Sequence, residues 1–549
     1  MSDRMSRAES ATREWWALAL LSVIVGITAV VRLRLLDLPL DRDEGEYAYI
    51  AQLLLDGVPP YAGAYTMKMP GISAVYAIIL SVFGKTPAAI HLGVLVASAA
   101  STVLVFVLAR RLAGAGAAVA AAATFASVSV SPVFLGASGY AEHFVVLAAL
   151  AGTMRLLTAL DGRRLMPFVE SGALFGLAFV VKQSGGVFAI FAVLYPMLIR
   201  RSDGPGVARR LGIVACVTAG AVFPALTIAA LLLGAGSFDR FVFWSFTYAS
   251  RYASAVSWED GLGHLVDRLA EVMPVMAFVF AWAVVGVVLA AGDRSLRTTR
   301  TFVLLFLLVS GIAVSVGLYF RYQYFLLLAP AIAFCGGLVP AAMYRSLSPR
   351  APRLALAFAI VLTLVPPAHA MYAERARLFH RSSHAASAMA SEQHPFPESV
   401  EIGRYIREHT EPGATVAVIG SEPQIYFYAG RRAATGYIYM YPLMEGHPYA
   451  RAMQTELMAE VEAERPEVLV FVNMSASWLR RAGSSPLVFQ WFEQYRRGFD
   501  QVGLIELPSP GSPLYAWGPD SAARAPRTAE WITVFRRKAP PFVENADRG

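Results

Sequence analysis

Along the first two thirds of the chain, long apolar runs alternate with short polar breaks, and most of the breaks on one side carry arginine. The runs at about 15–36, 87–109, 112–135, 142–160, 166–181, 184–199, 211–233, 272–291, 301–318, 324–342 and 354–371 read as membrane-crossing helices, about eleven in all. The length is the argument: roughly 20 apolar residues at ~1.5 Å each cover a hydrocarbon core of ~30 Å. Two stretches fit less well. Glu44 to Leu55 is amphipathic and reads as a helix on the membrane surface. Pro70 to Phe83 is apolar but short for a span, and reads as an interfacial or re-entrant helix.

From about residue 397 the pattern changes. Helical periodicity at Val400–His409, Pro448–Glu464 and Leu487–Arg497 alternates with β-branched runs at Thr415–Ile419, Val468–Val472, Val502–Leu507 and Trp531–Phe535. The expected fold is a mainly α polytopic membrane protein with interfacial helices and a small C-terminal α/β domain. The expected divisions are a transmembrane domain over 1–372, a polar connector over 373–396 and the α/β domain over 397–549.

Composition sharpens this reading. Of 549 residues, 56% are hydrophobic and 16% are charged, too apolar for one soluble domain. The net charge of +8 does not point to nucleic acid, because the arginines sit in short loops between spans. With the N-terminus in the cytoplasm, Arg110-Arg111, Arg163-Arg164, Arg200-Arg201, Arg209-Arg210, Arg294, Arg297, Arg300, Arg345, Arg350 and Arg353 all fall inside. The same parity sends the Asp41–Tyr47 stretch, Glu142, Lys182, the 237–268 loop, Arg321 and the C-terminal domain to the extracytoplasmic face. The two cysteines, Cys216 and Cys335, lie in apolar runs and carry no disulfide argument.

The chemistry-bearing residues cluster on that outer face. Asp41-Arg42-Asp43-Glu44-Gly45-Glu46-Tyr47 crowds four carboxylates beside a span. Ionisable groups so placed are costly unless they have work to do. A carboxylate there can act as a general base, with a neighbour tuning it; the bland alternative is a solvated loop. Lys68, Lys182 and Arg321 are cations at headgroup level, open to phosphate binding, snorkelling or anchoring. Glu142, Tyr47, Tyr322 and Tyr324 are candidates for shaping the site or meeting an acceptor. His380 and His384 lack a third ligand, so no metal site is expected.

These segments resemble the GT-C type glycosyltransferases that use polyprenyl-phosphate sugars. The branch includes the lipid A aminoarabinose transferases, the protein O-mannosyltransferases and the rhizobial lipopolysaccharide core transferases. The resemblance is carried by Asp43-Glu44-Gly45-Glu46-Tyr47, Lys68-Met69-Pro70, Leu135 to Glu142, Gly176 to Gly185 and Tyr322-Gln323-Tyr324-Phe325 leading to Pro330. Many relatives carry His-Lys-Pro-Pro where this chain has Met67-Lys68-Met69-Pro70.

The resemblance implies inverting transfer of a sugar from a polyprenyl phosphate to a glycan, lipid or protein acceptor on the extracytoplasmic face. Asp43 would be the base and Glu44 would help shape the site. Lys68, Lys182 and Arg321 would hold the donor phosphate, and no cofactor would be needed. A transporter would place charges near mid-span, often with an internal repeat; a catalytically inactive envelope scaffold is the other alternative.

Overall fold

The computed structural model describes residues 14–199, 206–292, 297–380, 394–509 and 511–538. The N-terminal arginines, Arg200-Arg201, Arg294, His384 and most of the expected connector lie outside the described residues. The chain divides into two compact units: residues 1–38 with 67–386, and residues 39–66 with 387–549. Residues 39–66, expected within the transmembrane domain, group instead with residues 387–549, where Arg42, Tyr49 and Gln52 find their hydrogen-bond partners.

The first unit is helical. Among the described residues six helices are long and apolar enough to cross a membrane: Trp15–Arg34, Pro87–Ala113, Ala141–Asp161, Val207–Gly234, Trp258–Gly292 and Pro352–Ala373. Shorter apolar helices are Pro70–Phe83, Ala115–Val130, Met166–Val181 and Phe188–Leu198, with Arg297–Ser315 and Ala329–Leu347 beside them. Proline at the first helical position starts Pro70–Phe83, and Gly84 at φ 96° ends it.

Two expected spans begin differently. The run from 324 opens with a 3₁₀ segment, Tyr322–Leu327, before the helix Ala329–Leu347. The eighth helix starts at Trp258 rather than 272. Ser257 caps it by accepting from the Asp260 backbone N–H at 3.0 Å, and the polar first turns continue the helix past the apolar run.

Small residues set the helix packing. A Cβ on Gly172 would meet the Val217 carbonyl, and one on Gly220 would meet the Val169 carbonyl. The helices Met166–Val181 and Val207–Gly234 therefore approach backbone to backbone, as glycines allow inside membranes. Arg32, buried in the first helix, donates to the Gly136 carbonyl at 2.9 Å, the Ser129 carbonyl at 2.6 Å and the Ser98 hydroxyl at 2.8 Å. It thereby fixes the turn that precedes Glu142.

The second unit is an α/β domain. Its strands are β1 Thr415–Ile419, β2 Arg432–Ala433, β3 Val468–Asn473, β4 Phe499–Glu506, β5 Leu514–Trp517 and β6 Trp531–Arg537. They form one sheet in the order β2-β1-β3-β6-β4-β5. β2, β1 and β3 run parallel, whereas β6, β4 and β5 join by antiparallel ladders. The helix Gln424–Ala429 packs against Phe396–His409 and against Arg42–Leu55, which arrives from the other end of the sequence.

Candidate active site

In the second unit the helix Arg42–Leu55 opens with a capping box. The Asp41 carboxylate accepts from the Glu44 backbone N–H at 2.9 Å, and Glu44 Oε2 accepts from the Asp41 N–H at 3.1 Å. Glu44 is fully buried and engaged in that box, so its carboxylate holds the helix start. At the same corner the Tyr428 hydroxyl accepts from the Leu40 N–H at 2.8 Å. Burial, with Glu44 and Asp41 nearby, pushes the Tyr428 phenol well above its usual range.

Arg42 anchors the helix to the domain. Its guanidinium donates to Glu422 Oε1 and to the Tyr441 hydroxyl, each at 2.5 Å, and to the Ser421 carbonyl. Burial works against its charge, but Glu422, Tyr441 and Tyr439 overcome that and push its pKa up. Glu422 Oε2 in turn accepts from Gln424 Nε2 at 2.7 Å. Gly45 then allows contact, since a Cβ there would lie 2.5 Å from Gln424 Cβ. Further along, the Tyr49 hydroxyl accepts from the Ala433 N–H at 2.7 Å, and Gln52 donates to the Phe427 carbonyl at 3.3 Å.

From Arg42 to Leu53 every residue is buried except Asp43. Tyr47 is among the buried ones. Asp43 Oδ1 accepts from the Tyr439 hydroxyl at 3.2 Å. As the second residue of the helix, Asp43 also sits where the partial positive charge of the N-terminus suits an anion.

In the first unit the expected residues Lys182, Glu142 and Tyr324 come together. Lys182 ends the helix Met166–Val181 and Glu142 lies in the first turn of Ala141–Asp161. The two form a salt bridge in which the Glu142 side chain is 1% and the Lys182 side chain 23% exposed. Lys182 Nζ also lies 4.1 Å from the Tyr324 ring centroid. Glu142 Oε2 has no hydrogen-bond partner among the described residues.

Close backbone packing sets Lys182 in place. A Cβ on Gly71 would meet the Val180 carbonyl, which brings the start of Pro70–Phe83 against the end of Met166–Val181. Gln183 then donates to the Met67 carbonyl at 2.8 Å, and the Ser245 hydroxyl to the Lys68 carbonyl at 3.4 Å. Lys68 is thus held by its backbone beside the Lys182 turn.

Arg321 and Tyr322 have other neighbours. Arg321 donates to the Tyr252 hydroxyl at 3.0 Å, and Tyr252 stacks on Tyr319 at 4.6 Å. Tyr322 donates to Glu271, with the Arg268 guanidinium 3.5 Å from its ring centroid. Sequence reasoning missed Arg42, Glu422 and Tyr439. The alternating tyrosines Tyr437, Tyr439 and Tyr441 were the available signal for the last. Among the described residues no group of three or more His, Cys, Asp or Glu side chains is placed to hold a metal ion.

The family model for dolichyl-phosphate-mannose-protein mannosyltransferases matches residues 67–229, the stretch that contains Lys68, Glu142 and Lys182. Over those residues the chain is similar to that family. Its fold is similar to that of ArnT from Cupriavidus metallidurans, solved with undecaprenyl phosphate bound. The two share 14% identity at a TM-score of 0.56, over 95% of this chain and 98% of that one. The archaeal oligosaccharyltransferase AglB from Archaeoglobus fulgidus, solved with an inhibitory peptide and a dolichol-phosphate, is 15% identical. That match has a TM-score of 0.51 and covers 92% of this chain and 75% of that one. No curated protein sequence matches the chain.

Proposed function

We propose that the chain is a glycosyltransferase of the GT-C type that moves a sugar from a polyprenyl phosphate to a hydroxyl of a glycan, lipid or protein acceptor, with inversion at the anomeric carbon. The observation that carries the reading is the Lys182–Glu142–Tyr324 cluster, a partly exposed cation built into the segment that the family model matches. As the acceptor oxygen bonds to the anomeric carbon, its proton passes to Asp43. The bond between the anomeric carbon and the phosphate oxygen breaks, its electron pair stays on that oxygen, and polyprenyl phosphate leaves. Lys182, with Lys68 and Arg321, neutralises the charge that gathers on the phosphate oxygens.

The reading includes eleven crossings with the N-terminus in the cytoplasm and the second unit on the extracytoplasmic side. It is supported by the arginine pairs Arg110-Arg111 and Arg163-Arg164, which share one parity. A reporter fused after Arg164 should register cytoplasm, and one at the C-terminus the outer side.

The enzymatic test pairs a deletion strain with solubilised protein. Mass spectrometry of envelope glycans and lipids should reveal a mass difference of one sugar on deletion. The purified protein, offered synthetic undecaprenyl-phosphate mannose, arabinose, glucose and galacturonic acid with membranes from the deletion strain, should consume one of them and release undecaprenyl phosphate. Asp43→Asn at normal protein level should reduce turnover by about 10²–10⁴-fold. Undiminished turnover in that variant sinks the base assignment.

A further inference from the structure

We propose that Tyr439, supplied by the C-terminal α/β domain, is a positioning residue for the Asp43 carboxylate. The inference rests on the reading of Asp43 as the base. It makes the domain part of the catalytic machinery rather than an appendage to it.

Two accessible groups meet in an otherwise closed corner. Asp43 is the one residue of Arg42–Leu53 that is not buried, and in the stretch 434–444 only Tyr439 and Tyr441 share that property. The Tyr439 hydroxyl donates to Asp43 Oδ1 at 3.2 Å. Its ring is held edge-on to Tyr441, with centroids 4.9 Å apart. Tyr441 is itself fixed, because its hydroxyl accepts from Arg42 and donates to the Ala476 carbonyl at 2.6 Å. The backbone on either side is equally constrained. The Met440 N–H donates to the Ser421 hydroxyl at 2.9 Å, and the Ser421 carbonyl accepts from Arg42.

Arg42 therefore anchors both partners of the Tyr439–Asp43 bond. It carries Asp43 as its neighbour in the chain, and it holds Tyr441, against which Tyr439 packs. A hydrogen bond from a phenol to one carboxylate oxygen has two chemical effects. It fixes the plane of the carboxylate, so the other oxygen faces a set direction. It also favours the ionised form, so the base stays deprotonated at lower pH.

The test is Tyr439→Phe, which keeps the ring and its contact with Tyr441. Turnover of whichever of the four undecaprenyl-phosphate sugars the native protein consumes is measured against pH in solubilised membranes. The expected result is a kcat about 10-fold lower with donor KM unchanged and Tm within a degree or two. The acid limb of the kcat profile should move to higher pH by roughly half a unit to one unit. Tyr439→Ala should lose kcat further, because the ring contact goes as well. Unchanged kcat and an unmoved acid limb in Tyr439→Phe overturn the proposal. Asp43→Asn, run alongside, separates the two failures. If it is inactive while Tyr439→Phe behaves as native, only the positioning role falls; if it is active, the base assignment falls and the proposal falls with it.

Discussion

In the first unit Lys182 and Glu142 meet across 40 positions of sequence, at the ends of two helices that pack side by side. In the second, Arg42 and Glu422 meet across 380. The first pair keeps a partly exposed cation, its side chain 23% exposed. The second is closed, with side chains 7% and 0% exposed, and is surrounded by hydrogen-bond partners. An ion pair left open to one side suits binding, whereas a sealed one suits holding a neighbour still. The neighbour in this case is Asp43.

That contrast can be broken most forcefully at Arg42. Replacing it by alanine leaves Glu422 buried without its cation, a loss of about 3–5 kcal/mol. Limited proteolysis should then cut within 396–537 while leaving the helices of the first unit resistant. Equal sensitivity of both units would contradict the division of the chain into two compact units. Lys182→Ala should behave in the opposite way. Turnover should fall about 10²–10³-fold, as when one preorganised donor to a developing anion is removed, and new protease sensitivity should lie in the first unit, where buried Glu142 loses its cation.

A smaller effect comes from pH. His394 stacks on Phe396 at 5.1 Å, and burial together with the Arg42 charge pushes its pKa down to about 4. An unfolded histidine titrates near 6.5, so between about pH 6.5 and 4 the unfolded chain binds the extra proton. The second unit should therefore lose stability as pH falls through that window, by roughly 2–3 kcal/mol. His394→Gln should flatten the dependence, read as Tm against pH. The smallest effect is expected at the cap. Asp41→Ala removes the side-chain half of the box and should cost about 1 kcal/mol, seen as a modest fall in Tm. A loss as large as that of Arg42→Ala would mean that the cap rather than the clamp holds the helix.

Much of the architecture was legible in local pattern. Pro70–Phe83, Met166–Val181 and Thr415–Ile419 stand at the bounds their punctuation suggests: a proline, a lysine and a β-branched run. The Asp41-x-x-Glu44 spacing is itself a capping-box signature, so Glu44's part was readable from a local rule. Lys182 was visible because a charge interrupts an apolar run. The kinship of 39–66 with the tail was not legible, because nothing near Arg42 announces Glu422. β2 is only two residues long, and β5 is an edge strand exposing Leu514 and Tyr515, so neither leaves an alternating pattern. The early start of Trp258–Gly292 was hidden for a related reason: its first turns are polar, and hydropathy reports the apolar part alone.

The pairing of Arg42–Leu55 with residues 396 onward also sets a timetable for synthesis. The helix emerges from the ribosome about 340 residues ahead of the partners that bury it. At roughly 5–20 residues per second, that is an interval of about 20–70 seconds. Throughout it, Arg42 is made but has no Glu422 to meet, and the polar groups of Tyr49 and Gln52 await Ala433 and Phe427. Asp43 meets the Tyr439 hydroxyl only after residue 439 has been made. A chain that stops short of it would carry the six long apolar helices seen among the described residues and still lack that contact.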